Sequence, residues 1–172
     1  MNYFNLFSLP QIFNINEELL IKNFYELQKK FHPDKLINSS TNLLSKMNNK
    51  IIIINKGYKI LKDPINRAEH LLYLNNFIVD KKSYLYVEKS FLIKNISLFE
   101  KLETIIKEKE NNLALSNFIN KIVLKKDKYL NKLIYLFDLK KFKSIKSILI
   151  KIKFLQNLIS KAEIIKEKNN NL

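Results

Sequence analysis

Hydrophobic positions recur at steps of three and four along most of the chain, so the pattern predicts helices from end to end. From Glu17 the stripe Leu20, Phe24, Leu27 and Phe31 runs at spacings of four, three and four. Pro33 closes it, because proline fixes its own φ, removes an N–H and biases His32 away from the α region. Asn16 is placed as the N-cap, Glu17 and Glu18 put carboxylates in the first turn, and Ile15 and Leu20 are spaced for a staple across the cap. A second helix is predicted over about 41–62, carrying Leu44, Met47, Ile51, Ile54, Tyr58 and Leu61. The four isoleucines 51–54 alone would suggest a strand, but the helical spacing on both sides overrules it. A short apolar helix over 2–9, ending at Pro10, precedes this pair, and one over 65–74 follows Asp63-Pro64. Two long helices joined by about nine residues pack antiparallel and push their loop out at one end. His32, Pro33 and Asp34 are thereby displayed at the tip of a hairpin.

Asn75-Asn76 is the expected domain boundary. Beyond it the pattern gives three more helices. The first, about 83–107, carries Val87, Phe91, Leu98, Leu102 and Ile105. The second, about 113–137, carries Leu115, Ile119, Ile122, Tyr129, Leu133 and Leu136. The third, about 141–168, carries Ile145, Ile148, Ile152, Leu155, Ile159 and Ala162, and the tail from Lys168 is expected to fray. Breaks fall at Asn111-Asn112 and near Asp138. Three amphipathic helices with short connections make an antiparallel bundle. The fold class is all-α: an N-terminal helical hairpin over 1–75 and a C-terminal three-helix bundle over 76–172.

Composition agrees with long helices, since 172 residues include one Gly and three Pro and 47% are hydrophobic. With no cysteine, disulfides, thiolate metal sites and Cys nucleophiles are excluded. His32 and Asp34 are the residue types of an acid–base or metal pair, but the other histidine, His70, has nothing in the sequence to bring it near, and such a site wants a further ligand or a cleft. Neither a Walker lysine motif nor a Gly-rich phosphate loop is present. No catalytic, cofactor or metal site is therefore assigned. No run of eighteen apolar residues occurs, so no membrane span is expected.

The formal charge is +15, unevenly placed: residues 1–76 hold ten basic and six acidic side chains, the remainder 21 and ten. Such a balance suits nucleic acid or an anionic surface, above all through the lysines of 140–153. Lys, Asn and Ile are used heavily everywhere, however, so compositional drift explains the charge as well, and no nucleic-acid or membrane partner is expected.

The residues about His32-Pro33-Asp34 resemble the J-domain, the module by which DnaJ-type co-chaperones engage DnaK-class ATPases. Tyr3-Phe4-Asn5-Leu6-Phe7-Ser8-Leu9-Pro10 looks like its opening, and Phe24, Leu27 and Phe31 fall where its core aromatic and leucine residues lie. Ile54 to Pro64 (INKGYKILKDP) looks like its second helix and stop, followed by Arg67-Ala68. Gly57 stands where J-domains favour a small residue, which suggests close approach of the two long helices. Arg67 to Leu72, Phe91-Leu92 and Phe154-Leu155 extend the resemblance to the HscB family, the J-proteins of iron–sulfur cluster assembly.

That resemblance implies a co-chaperone rather than an enzyme. Its partners would be a DnaK-class, HscA-like chaperone and an IscU-type scaffold, or other clients if the chain is a general J-protein, and its place the cytoplasm, since the likeness begins at Tyr3 and leaves no room for a leader. It implies a chaperone-binding set of Lys22, Lys29, Lys30, His32, Pro33, Asp34 and Lys35, with Asp34 as the charged contact and Pro33 shaping the loop. It implies a scaffold-binding set of Leu92, Ile93, Ile96, Glu100 and Phe154. Leu92, Ile96 and Phe154 lie off the core stripes and are expected to be partly exposed on adjacent faces. The sequence departs from the family at Tyr25 and Glu26, often basic in J-domains, and at Lys94, Ser97, Lys101 and Thr104, where the family patch is acidic.

Overall fold

Asn2 and Asn16 start the first two helices by the same device. The computed structural model describes residues 1–31, 41–78, 89–107 and 112–170. The side-chain oxygen of Asn2 accepts from the N–H groups of Phe4 and Asn5 at 3.0 and 3.3 Å, and that of Asn16 from Leu19 at 2.9 Å. Each satisfies donors that the first turn leaves open. The elements so begun are α1 (Tyr3–Leu6) and α2 (Glu17–Phe31), followed by α3 (Thr41–Lys62), α4 (Pro64–Leu74), α5 (Lys89–Lys107), α6 (Asn112–Asp138) and α7 (Phe142–Asn170). Among the described residues there is no strand. Val87 and Leu44 carry no structural statement, since Val87 and the side chain of Leu44 lie outside what is described. The last helix continues to Asn170 rather than fraying at Lys168.

Three helices end alike. Ser8, Asn76 and Lys140 have left-handed backbones, with φ of 50°, 62° and 52°. Each follows a helix by two residues, where the chain turns back on itself to bond the last free carbonyls. After α6, the N–H of Lys140 donates to Phe137 and that of Lys141 to Leu136, both at 3.0 Å. After α1, Ser8 donates to Asn5 and Leu9 to Phe4 in the same pairing. The break predicted near Asp138 and the boundary at Asn75-Asn76 are thus capped turns.

The chain divides into two compact units, Met1–Asn76 and Phe77–Leu172. In the first, the core collects Tyr3, Phe4 and Phe7 of the α1 region with Leu20, Ile54, Leu61, Ala68, Leu71 and Leu72. Along the hairpin burial fades towards its loop: Leu20 is enclosed, whereas Phe24, Leu27 and Phe31 are half-buried. Among the described residues the two helices pack there against each other. Phe24 stacks on Tyr58 at 4.0 Å, and the Gln28 amide donates to Asn55 at 2.6 Å. Of the four isoleucines only Ile54 is core, and Ile52 is exposed.

Gly57 is explained differently from the sequence expectation. A Cβ there would stand 2.6 Å from Cδ1 of Tyr3 and 3.0 Å from Cε2 of Phe7. The close approach is therefore of α1's aromatic rings onto α3, not of the two long helices onto each other.

Two polar side chains are built into this core. Arg67 is 4% exposed. Its Nε donates to the carbonyl of Leu61 at 2.6 Å, one terminal nitrogen to that of Phe13 at 3.1 Å, and the other to Glu17 at 2.9 Å and Lys62 at 3.4 Å. His70 accepts the Tyr3 N–H on Nε2 at 3.2 Å and stacks near Phe4 and Tyr73. As an acceptor it is neutral at that nitrogen. Burial, and after it repulsion from the N-terminal amine, holds its pKa below the ordinary 6.5.

In the second unit α6 and α7 form a long hairpin, pinned midway by Lys126 donating to Gln156 at 2.9 Å, and α5 packs along it. Leu102, Ile105, Leu115, Phe118, Ile122, Leu155, Leu158, Ile159 and Ala162 make one cluster. Phe91 and Ile150 make a smaller one. Asn95 lies on the core stripe of α5, 2% exposed, and its amide has no hydrogen-bond partner among the described residues.

Arg67→Met takes one donor each from the Leu61, Lys62 and Phe13 carbonyls, of which Phe13 still accepts the Ile15 N–H at 3.2 Å, and should destabilise the first unit by roughly 2–4 kcal/mol. Glu17→Gln should cost less than about 1 kcal/mol, because the Glu17 side chain is 61% exposed and its pairing is screened by water. Urea titrations followed through amide resonances of residues 1–76 distinguish the two. For His70, the unfolded chain binds its proton near pH 6.5 and the folded chain only at lower pH. Stability is thus complete above about 6.5 and declines as pH falls through that value and then through the folded pKa. A ring titration by NMR should place His70 below 6.5, and His70→Gln should remove its part of the acid destabilisation.

Candidate functional site

Each unit presents one surface that the sequence singled out. On α2, Lys22 and Lys29 lie seven residues apart and turn away from the Leu20–Phe31 stripe, both exposed. Lys30 is also exposed, with its ammonium 5.7 Å from the centre of the Phe31 ring, and Lys50 of α3 approaches the same ring to 4.7 Å. Phe31 is thus a half-buried aromatic flanked by two cations at the last turn before the loop. Lys50 was not among the candidates from sequence, because its place beside Phe31 depends on the register between α2 and α3. His32, Pro33, Asp34 and Lys35 lie outside the described residues.

On α5, Leu92, Ile93 and Ile96 are exposed to 47%, 58% and 57%. At about 100° per residue they share one side of the helix with Glu100, which is exposed as well. Opposite, Phe91, Asn95 and Leu102 face inward. Phe154 of α7 is half-buried, edge-on to Phe91 at 5.9 Å and to Phe99 at 5.3 Å. The structure therefore brings four of the five scaffold candidates onto one open face and sets Phe154 in the packing between α5 and α7.

Lysines border this strip. Lys151 lies over the Phe91 ring at 5.4 Å and Lys161 over Phe99 at 5.4 Å, on the α7 side. On the α6 side, Lys94 and Lys101 of α5 face Lys121 and Lys125 of α6. The Lys125 ammonium is held below its ordinary pKa, first by burial and then by repulsion from Lys94 and Lys121. Sequence reasoning registered Lys94 and Lys101 singly. Their convergence with Lys121 and Lys125 across two helices has no signature along the chain.

No group of three or more His, Cys, Asp or Glu side chains suited to a metal ion occurs among the described residues. No described helix is long and apolar enough to cross a membrane.

A short capped helix, a long helical hairpin and a following three-helix bundle define a class among solved structures: co-chaperones. Chaperone HscB from Vibrio cholerae superposes with a TM-score of 0.86 at 30% identity, covering 98% of this chain and 99% of that one. Human co-chaperone HscB superposes at 0.88 with 23% identity, covering 96% of this chain and 82% of that one, a likeness of fold. By sequence, co-chaperone protein HscB of Buchnera aphidicola subsp. Acyrthosiphon pisum (strain Tuc7) is 42% identical over 159 residues, which is 92% of this chain and 91% of that protein. The chain belongs to the HscB family of co-chaperones. No protein-family model matches it.

The geometry separates the patch residues by what their loss should do to the fold. Phe154→Ala opens space between two rings and should destabilise the bundle by on the order of 2 kcal/mol or more. Leu92→Ala and Ile96→Ala should each change stability by no more than about 0.5 kcal/mol, as exposed substitutions do. Thermal melts of the three variants check this order.

Proposed function

We propose that this chain is a regulator of a partner ATPase: it recruits and stimulates a DnaK-class, HscA-like chaperone and delivers to it an IscU-type scaffold for iron–sulfur cluster maturation. In this reading residues 1–75 are the J-domain and residues 76–172 the scaffold-binding bundle. The observation that carries it is the strip Leu92, Ile93 and Ile96, three large aliphatic side chains in water along one face of a helix whose other side is already packed. Family membership gives that strip its meaning, since a co-chaperone needs a surface for what it delivers. Contiguous exposed aliphatics of this kind mark interaction sites rather than ordinary surface. Glu100 adds a charge beside them, and Phe154 stiffens the seat of α5 from below.

The first unit is assigned to the chaperone. Lys22, Lys29 and Lys30 offer cations to an acidic surface, and His32-Pro33-Asp34 with Lys35 follow directly in the chain. The mechanism is differential binding: a loop that binds the hydrolysis-competent arrangement of the ATPase more tightly than the resting one accelerates hydrolysis without touching nucleotide. Asp34 supplies the charged contact and Pro33 fixes the loop that carries it.

Asp34→Asn should abolish stimulation of an HscA-like ATPase in single-turnover hydrolysis, while the variant still binds an IscU-type scaffold and melts like the parent. Stimulation undiminished in the variant would refute the role given to the loop.

A further inference from the structure

Between α5 and α6 runs a cavity of about 580 Å³. Its floor is apolar, from Ile105, Ala114 and Phe118, and Lys101 and Lys121 stand at its sides. Among the described residues no acidic side chain lines it. Lys94 extends the α5 wall, being seven residues before Lys101 and therefore on the same side of the helix, and Lys125 extends the α6 wall, four residues after Lys121. Glu100 and Glu103 are turned about 100° or more around α5 from Lys101, away from this wall. Burial first, and then the nearby Lys94 and Lys121, hold the Lys125 ammonium below its ordinary pKa, and the like charge gathered there is one that an anionic group would relieve. The α5 wall adjoins the exposed strip, since Lys94 follows Ile93 and precedes Ile96 by two residues.

We infer that this groove is the second half of the docking face and takes an acidic segment of the same protein partner, carrying Asp or Glu beside the apolar residues that seat on Leu92, Ile93 and Ile96. The inference rests on the scaffold reading above and gives the partner's surface its chemistry: an apolar centre with an acidic flank. Continuity with the aliphatic strip favours a protein over nucleic acid, whose phosphates would use the lysines and leave three exposed aliphatics without a role. The lysine rim sets encounter rate and partner choice, while the strip sets how long the complex lasts.

The test uses the full chain and the IscU-type scaffold encoded in the same genome, with affinity measured across about 0.05–0.5 M NaCl, where screening shortens from roughly 14 Å to 4 Å. Parent affinity should fall about tenfold or more over this range. The triple variant Lys94→Gln, Lys121→Gln, Lys125→Gln should bind about tenfold more weakly at low salt and converge on the parent at high salt. The corresponding arginine variant, which keeps the charges, should behave as the parent and shows that the positions tolerate change. Leu92→Ala with Ile96→Ala should lose affinity at every salt concentration and keep the parent's salt dependence. An unchanged slope in the glutamine variant would overturn the inference and leave the strip as the scaffold site. Failure of the parent to bind scaffold at all would overturn the scaffold reading and this inference with it. A 20-base-pair DNA duplex that binds the parent more tightly than scaffold does, and loses binding in the glutamine variant, would assign the groove to nucleic acid and overturn the inference alone.

Discussion

The first unit depends on a single guanidinium. Arg67 sits where three separate parts of the chain meet: the end of α3, the loop before α2 and the first turn of α2. Carbonyls at such a junction have no helical partners, and burying them without donors would cost more than the local packing returns. One planar group with five donors answers several of them at once, and its stem lies among apolar residues, with the charge 5.9 Å from the centre of the Phe13 ring. Lysine could not do this, because its donors spread from one point and cannot reach carbonyls on different sides of a plane. The angle at which α4 leaves α3, and thus the wall against which α1 packs, follows from where this group can sit. His70, one turn further along α4, then takes the N–H of Tyr3 and fixes α1 to that wall.

The helices were legible because their punctuation is local. Asn16 and Asp63 cap the residues that follow them, the Asp63 carboxylate accepting the Asn66 N–H at 2.7 Å. Proline at 64 reads as a stop for α3 and serves equally as the first residue of α4, where its missing N–H is no loss. What could not be read is whatever depends on register between elements. Asn95 falls on the apolar stripe of α5, yet periodicity counts polarity and passes over one amide among leucines and phenylalanine. Gly57 suggested a close approach of the two long helices, whereas the rings that crowd it are those of Tyr3 and Phe7. Leu149 and Leu158 are part of the bundle core though they stand beside the stripe, because α7 packs against both α5 and α6, and Phe118 of α6 is buried in the same cluster as Leu158.

The candidate surfaces divide in the same way. Leu92 and Ile96 were marked by being apolar in the wrong phase of their own helix, a property of one segment, and they are exposed, as is Ile93, which the family resemblance alone supplied. Phe154, marked by the same argument, is partly exposed, with Phe91 and Phe99 packed edge-on against it. The basic groove needed two helices to exist before its lysines could be neighbours. A phase argument thus finds exposed apolar side chains, and finds charge clusters only when they lie on one helix.

The distribution of glycine gives the turns a further meaning. The chain's one glycine occupies a place where a single methyl carbon would strike the Tyr3 ring, so the requirement is for room. Ser8, Asn76 and Lys140 adopt the conformation for which glycine is the usual occupant, and do without it. Asparagine tolerates that conformation, whereas a lysine pays roughly 1 kcal/mol or more for it. Glycine thus stands in this chain where room is short, and not at the three left-handed turns. Those turns, Lys140 first among them, are a reserve of unclaimed stability at the connection that holds α6 against α7.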